Sequence, residues 1–343
     1  MSNRKKLWFN KTFSSVHAAL TLIRQGGDGE EYELVCSSTN PRAIAFMAAH
    51  ESAVEPSGLT GAAYVDWCLA FSLERKIDIF VPGKEASLIS GRHEEFETHG
   101  TRVLSAGGSD AIDLIHNKAA FYQATQTASV PSPEFAVFDS LESFDAAYTA
   151  MRQKYPVLCM KPSVSVYGIG FRKIVEDRNA FDLMMDGDPY RIDLLSLREM
   201  LERVDTTKVM LLMPFLDGPE FSVDCVASHG ELISAVARCK SLETGGGQEI
   251  VLRYDIDRSC RELVREYTLN GNINVQFREG RDGLRLLEIN PRMSGGIAMA
   301  SLAGPNLPYL AIAAFDRGVT AVDVPPINVG IRVGERNNAV VLS

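Results

Sequence analysis

The first third of the chain alternates short apolar runs with amphipathic stretches: KLWF, VHAALTLIRQ, YELVCSS, AIAFMAAH, YVDWCLAFSLERK, IDIFVPG and the segment through RVLSAG. Strands alternating with helices predict a parallel sheet covered on both faces. Ser37 to Asn40 and Pro82 to Lys84 then fall at carboxyl edges, where open sheets bind ligands, although no GxGxxG follows the first strand. From Ser109 the pattern predicts one helix ending near Pro131-Ser132-Pro133, and LLSLREMLERV predicts an amphipathic helix with Leu194, Leu197 and Leu201 on one stripe. Two late segments switch to a period of two. INVQF and LRLLEIN, separated by Gly280, Asp282 and Gly283, predict a hairpin over residues 271–290.

That hairpin carries the first candidate chemistry. Side chains two apart on a strand share a face, so Glu288 and Asn290 point the same way. A register pairing Gln276 with Glu288 brings three oxygen-bearing groups together. Mg²⁺ prefers hard oxygen ligands, and one or two carboxylates plus phosphate oxygens suffice for it. Pro291 ends the strand, and Arg292 follows with a fixed positive charge.

Upstream, the strand PVLCMK delivers Lys161 into a loop of small residues containing Ser163, Ser165, Gly168 and Gly170. Glycines let backbone N–H groups approach phosphate oxygens closely, and the lysine supplies charge. VMLLMPFLDGPEFSVDCVA reads as a strand, a turn at Asp217-Gly218-Pro219, and a second strand with Glu220, Ser222 and Asp224 on one face. ELISAVARCKS places Arg238 and Lys240 on one face, ahead of three glycines at Gly245–Gly247. These cations suit an anionic substrate. Ser294, Gly295 and Gly296 precede a helical pattern, an arrangement whose free N–H groups bind anions, and NVGIRVGERNNAVVLS reads as a closing strand or hairpin.

Composition narrows the classes. The chain has 343 residues, 45% hydrophobic and 23% charged, with net charge −9 and pI near 5.3. These values describe a globular protein of two or three packed units and argue against nucleic-acid or anionic-membrane partners. Cys36, Cys68, Cys159, Cys225, Cys239 and Cys260 show no CxxC spacing and read as reduced core thiols, and the six histidines show no zinc spacing. Without a signal peptide pattern or an apolar membrane span, the expected compartment is cytoplasmic.

From about Lys118 to Leu310, and most specifically in NVQF followed by LLEINPR, the sequence resembles the ATP-grasp superfamily, in wording most of all the carbamoyl-phosphate synthetase large chain. The resemblance implies an α/β protein: an amino-terminal parallel-sheet domain (1–110), a connecting helix and α+β lid (111–212), and a carboxy-terminal core bearing the metal site (213–343). It implies ATP and Mg²⁺, with Mn²⁺ as an alternative, held by Gln276, Glu288 and Asn290. Lys118, Lys161, Ser163, Ser165, Gly168 and Gly170 would serve the phosphates. Met213, Pro214, Phe215 and Leu216 would form the adenine hinge, and Glu220 would take the ribose. Met213 stands where the family often has Glu, and the Arg238/Lys240 stretch departs from the histidine- and glutamate-rich counterpart, which favours a carboxylic acid over bicarbonate. Arg292 and Arg238 are the expected catalytic cations. The implied activity is ADP-forming ligation of a small carboxylate to an amine through an acyl phosphate, in a homodimer at family level. A non-catalytic ATP-binding regulator and a small-molecule kinase are the alternatives.

Overall fold

The computed structural model describes residues 4–10, 14–125, 129–165, 168–204, 208–240, 247–336 and 339–341. The chain forms two compact units, one of residues 1–113, 219–276 and 289–343, the other of residues 114–218 and 277–288.

The first unit begins with strands β1 (Lys5–Phe9), β2 (Tyr32–Ser38), β3 (Glu51–Val54), β4 (Ile79–Val81) and β5 (Arg102–Val103). They form the expected parallel sheet in the order β3-β2-β1-β4-β5. Strand alternation explains its two cores. Leu7 and Phe9 pack with Leu20, Leu34 and Ile79 on one face, joined by Ile312 from the helix Leu307–Arg317. Trp8 goes to the other face with Tyr64, Phe71 and Phe96, stacked on Phe80 at 4.0 Å between ring centres. A sheet buried on both faces accounts for the nearly unbroken apolar runs of its strands.

The order reverses between β1 and β4. Asn10 there receives the N–H groups of Gly83 (2.6 Å) and Lys84 (3.3 Å), while its Nδ2 donates to Lys84 O (3.1 Å). Beside it the buried Glu55 accepts from Ser37 Oγ (2.8 Å) and Tyr64 Oη (3.0 Å). These bonds tie loop backbone and a buried carboxylate into the sheet's carboxyl edge.

The second unit holds β6 (Ala136–Phe138), β7 (Leu158–Pro162), β8 (Arg172–Val175), β9 (Arg191–Asp193) and β10 (Met210–Pro214), in the order β6-β10-β7-β8-β9. Phe138, Phe144, Leu158, Met160, Leu197 and Leu212 form its core. Leu197 comes from the amphipathic helix Leu194–Glu202, as its stripe predicts.

The single helix expected from Ser109 is two, Ser109–His116 and Lys118–Ala124. Asn117 divides them because its Oδ1 caps the second, accepting from Ala120 N at 3.3 Å and from Ser163 Oγ at 2.6 Å.

The third sheet comprises β11 (Glu220–Ser228), β12 (Glu231–Lys240), β13 (Gln248–Val251), β14 (Gly271–Gly280), β15 (Gly283–Asn290) and β16 (Arg332–Val333), in the order β15-β14-β11-β12-β13-β16. β14 and β15 are the expected hairpin, turning over Arg281 and Asp282, and β16 is the expected closing strand, paired with β13. All six cysteines are free thiols. No helix among the described residues is long and apolar enough to cross a membrane.

Candidate functional site

In the second unit three charged groups from distant parts of the chain meet. Lys118 opens the helix that Asn117 caps, Lys161 stands on β7, and Glu288 stands on β15. The Lys118 Nζ lies 3.5 Å from Glu288 Oε2 and donates to Ser165 O at 2.9 Å. The Lys161 Nζ donates to Tyr122 Oη (2.8 Å) and to the carbonyl of Leu287 (3.4 Å), and the Tyr122 hydroxyl also donates to that carbonyl. Burial depresses the pKa of both lysines; Glu288 opposes the shift, and Lys161 adds like-charge repulsion at Lys118. Two desolvated ammonium groups beside one carboxylate favour the arrival of a further anion.

The loop after β7 is anchored at its start. Ser163 N donates to Val209 O (2.9 Å), and its Oγ accepts from Ala119 N (3.2 Å). Gly168 and Gly170 have φ of +67° and +84°. A Cβ on Gly170 would lie 2.6 Å from Pro162 Cγ, so only glycine fits there, whereas Gly168 faces open space.

Along β10, Met213 pairs with Cys159 and Pro214 with Leu158. The Phe215 N–H is engaged by Val157 O (2.9 Å), and the Cys159 thiol donates to Pro214 O (3.7 Å), its pKa pushed up to about 12 by burial. Lys173 Nζ sits 4.5 Å over the Phe215 ring. Phe215 and Leu216 line an open cleft of about 940 Å³ that also includes Tyr155, Arg281 and Arg285, but neither Lys118, Lys161 nor Glu288 lines it. Tyr122 lines this cleft as well, so the side chain whose hydroxyl accepts from Lys161 joins the cleft to the charged cluster.

In the first unit the structure corrects the reading of Arg238 and Lys240 as cations presented to a substrate. Arg238 is 2% exposed. Its Nε and Nη2 donate to Asp224 Oδ2 at 2.9 and 2.7 Å, Nη2 also reaches Ser222 (3.1 Å) and Ser294 (3.0 Å), and Nη1 donates to Gln248. Lys240 is paired with Glu220, the residue directly opposite in the β11–β12 register. Strand register thus sets Lys240 directly against Glu220 and Arg238 against Ser222, with Asp224 one step along the same face within reach of the guanidinium. The anion-binding reading of Ser294–Gly296 also fails. The helix that follows, Ile297–Ser301, has five residues, Gly296 N donates to Ser294 Oγ (3.1 Å), and a Cβ on Gly296 would strike the Arg238 guanidinium at 2.5 Å. Gly245 and Gly246 lie outside the described residues.

Behind this ion pair sits Asn274, 1% exposed, which the sequence reading passed over as strand alternation. Its Nδ2 reaches Ser222 Oγ (3.0 Å), Val223 O (3.1 Å) and Asp224 Oδ1 (3.3 Å). Its Oδ1 accepts from Gln276 Nε2 (3.3 Å) and Asn290 Nδ2 (3.5 Å), so it gathers two of the expected metal ligands. Both amides turn their nitrogens to Asn274. Asn290 Oδ1 accepts from Arg292 Nη2 (3.4 Å), and Arg292 Nη1 donates to Met293 O (2.9 Å). The other positioning groups missed by the sequence are Asp224, Tyr122 and Asn117. Only the shared face of Ser222 and Asp224 signalled any of them.

Each candidate ligand is by itself of the kind Mg²⁺ prefers: Glu288, in the second unit, offers carboxylate oxygens, and Gln276 and Asn290, in the first, offer amide oxygens. No group of three His, Cys, Asp or Glu side chains suited to a metal occurs among the described residues.

The chain superposes on N5-carboxyaminoimidazole ribonucleotide synthetase in its ADP complex with a TM-score of 0.65, covering 95% of this chain and 79% of that one at 13% identity. The fold is ATP-grasp. A second ATP-grasp structure, the L-amino acid ligase from Bacillus licheniformis, matches with a TM-score of 0.61 over 92% of this chain and 74% of that one, at 16% identity. Residues 206–339 match the family described as ATP-grasp in the biosynthetic pathway with Ter operon. The arginine-specific large chain of carbamoyl phosphate synthase from Geobacillus stearothermophilus is 23% identical over 307 residues, 84% of this chain. The chain spans about a quarter of that relative's length, since the match covers 26% of it.

Proposed function

We propose that the protein is an ATP-dependent, ADP-forming ligase that activates a small carboxylic acid as an acyl phosphate and joins it to an amine. The observation that carries this reading is the meeting of Lys118, Lys161 and Glu288, three charged groups from separate stretches of the chain. Lys118 and Lys161 would bind the phosphates of ATP. Glu288 would hold Mg²⁺, which shields phosphate charge when bound, and the resemblance adds Gln276 and Asn290 to its ligands. Ser163, Ser165, Gly168 and Gly170 would follow the phosphates, Met213–Leu216 the adenine and Glu220 the ribose. The similarity to an L-amino acid ligase supports amino-acid-like substrates.

In the proposed reaction a carboxylate oxygen attacks the γ-phosphorus, and the bond to ADP breaks. The amine nitrogen then attacks the acyl carbon, a C–N bond forms, phosphate leaves, and the nitrogen gives up its proton. The two buried lysines stabilise the charge that develops on the departing ADP. Arg292 would steady the acid, while Arg238 holds Asp224 and Ser222, to which Asn274 also bonds.

Incubation with Mg²⁺, ATP and pools of small acids and amines tests this. Release of ADP and phosphate requiring both an acid and an amine is expected. Release of AMP and pyrophosphate overturns the proposal. Thermal stabilisation by MgATP without turnover identifies a regulator instead, and a stable phosphorylated product identifies a kinase.

A further inference from the structure

The first unit contains a second, smaller cavity of about 60 Å³. Its walls come from the first sheet, the helices Ser14–Gln25 and Leu307–Arg317, the start of β14 and the segment after β15, and Val16, Ile23, Leu104 and Ile312 make them largely apolar. Four polar side chains break that lining, Ser15, Asn270, Asn272 and Arg292; Asn272 is already engaged, its Nδ2 donating to Leu307 O at 3.1 Å, and two of the others bear on a ligand. Arg292 brings a permanent positive charge. Asn270 brings a side-chain carbonyl oxygen that is buried and has no hydrogen-bond partner. A buried acceptor left unmet costs free energy, so its retention in an apolar cavity marks a place for a donor that arrives with a ligand.

We infer that this cavity binds the carboxylate partner of the ligation and selects an α-amino acid with a short aliphatic side chain, alanine to valine in size. The inference rests on the ligase reading for its place in a reaction, but the ligand class follows from the cavity itself. Arg292 takes the carboxylate, the Asn270 oxygen accepts from the α-ammonium group, and the apolar walls receive the side chain. The volume admits roughly four water-sized positions, too few for an aromatic ring. With no carboxylate among its lining residues, the cavity gives no counter-charge to a lysine-like side chain, and acidic side chains would face apolar walls.

Calorimetric titration of the full chain with L-alanine, L-valine, propionate, L-phenylalanine and L-glutamate, each with and without a non-hydrolysable MgATP analogue, tests the ligand class without turnover. L-Alanine and L-valine are expected to bind, and propionate to bind about 10- to 100-fold more weakly for want of the ammonium donor. In Asn270→Leu that discrimination collapses, while Asn270→Asp preserves it; a purely structural defect would weaken propionate and alanine alike. No binding of L-alanine or L-valine, or equal binding of propionate or L-phenylalanine, overturns the inference. Binding of L-alanine without ADP release under any pairing sinks the ligase reading and leaves the ligand class standing. ADP release driven equally well by acids lacking an amino group does the reverse.

Discussion

Lys161 shows at residue scale how a proposed binding group differs from a stabilising one. Its ammonium is desolvated against Tyr122 and Leu287, and its pKa lies below the ordinary 10.5. The Lys161→Met variant keeps length and apolar stem while removing the buried charge. It is expected to be as stable as the parent or more stable by about 1 kcal/mol, yet to lose the thermal shift given by MgATP. The sign of the pH dependence follows. Between the depressed value and 10.5 the unfolded chain holds more protons than the folded one, so stability rises with pH in that window. The cost is fully present below it. Melting curves taken as pH approaches 10.5 should show a rising contribution that is reduced in Lys161→Met, with Lys118 supplying the remainder.

Asp224 is the opposite case. It is the counter-charge of a buried guanidinium, so Asp224→Asn should cost about 3–5 kcal/mol in denaturant unfolding. A loss under about 1 kcal/mol would show that the pair contributes little.

At the scale of elements, the loop between β7 and β8 makes a graded prediction. Gly170→Ala meets both a positive φ and Pro162, whereas Gly168→Ala meets only the positive φ. The first should destabilise by roughly 1–3 kcal/mol and the second by less, with the MgATP shift weakened in the same order. Asn117→Ala removes a helix cap and the Ser163 contact, at about 1 kcal/mol for the cap, and lets Lys118 drift from Glu288. The cap explains why periodicity overran the break. An apolar stripe continues through Asn117 because both short helices bury the same kind of residue, and only the side chain's preference for bonding backbone N–H marks the division.

For the whole molecule, the alternation of apolar runs made the parallel sheet and the late hairpin legible, since period and burial are written in the same residues. Lys161 and Glu288 stood out as candidates because a charge near the end of an apolar strand has few structural uses, and their roles rest on the proposal above. The neutralisation of Arg238 and Lys240 was not, because it depends on the β11–β12 register, which pairs residues that the sequence holds well apart. The apolar cavity was equally hidden, being assembled from six stretches of chain. Chelating divalent cations should abolish both the MgATP thermal shift and ADP release, restored by Mg²⁺ titration; turnover that survives chelation would remove Glu288 from its assigned role.

The second unit is built from residues 114–218 and a short later piece, 277–288. On the ribosome, therefore, Lys118 and Lys161 emerge long before Glu288, and two ammonium groups wait in a half-built shell without their carboxylate. On the proposed reading, that unit gains its carboxylate only when residue 288 leaves the exit tunnel, so a nascent chain cut short before residue 277 should fail to retain ATP even though every lysine is already made.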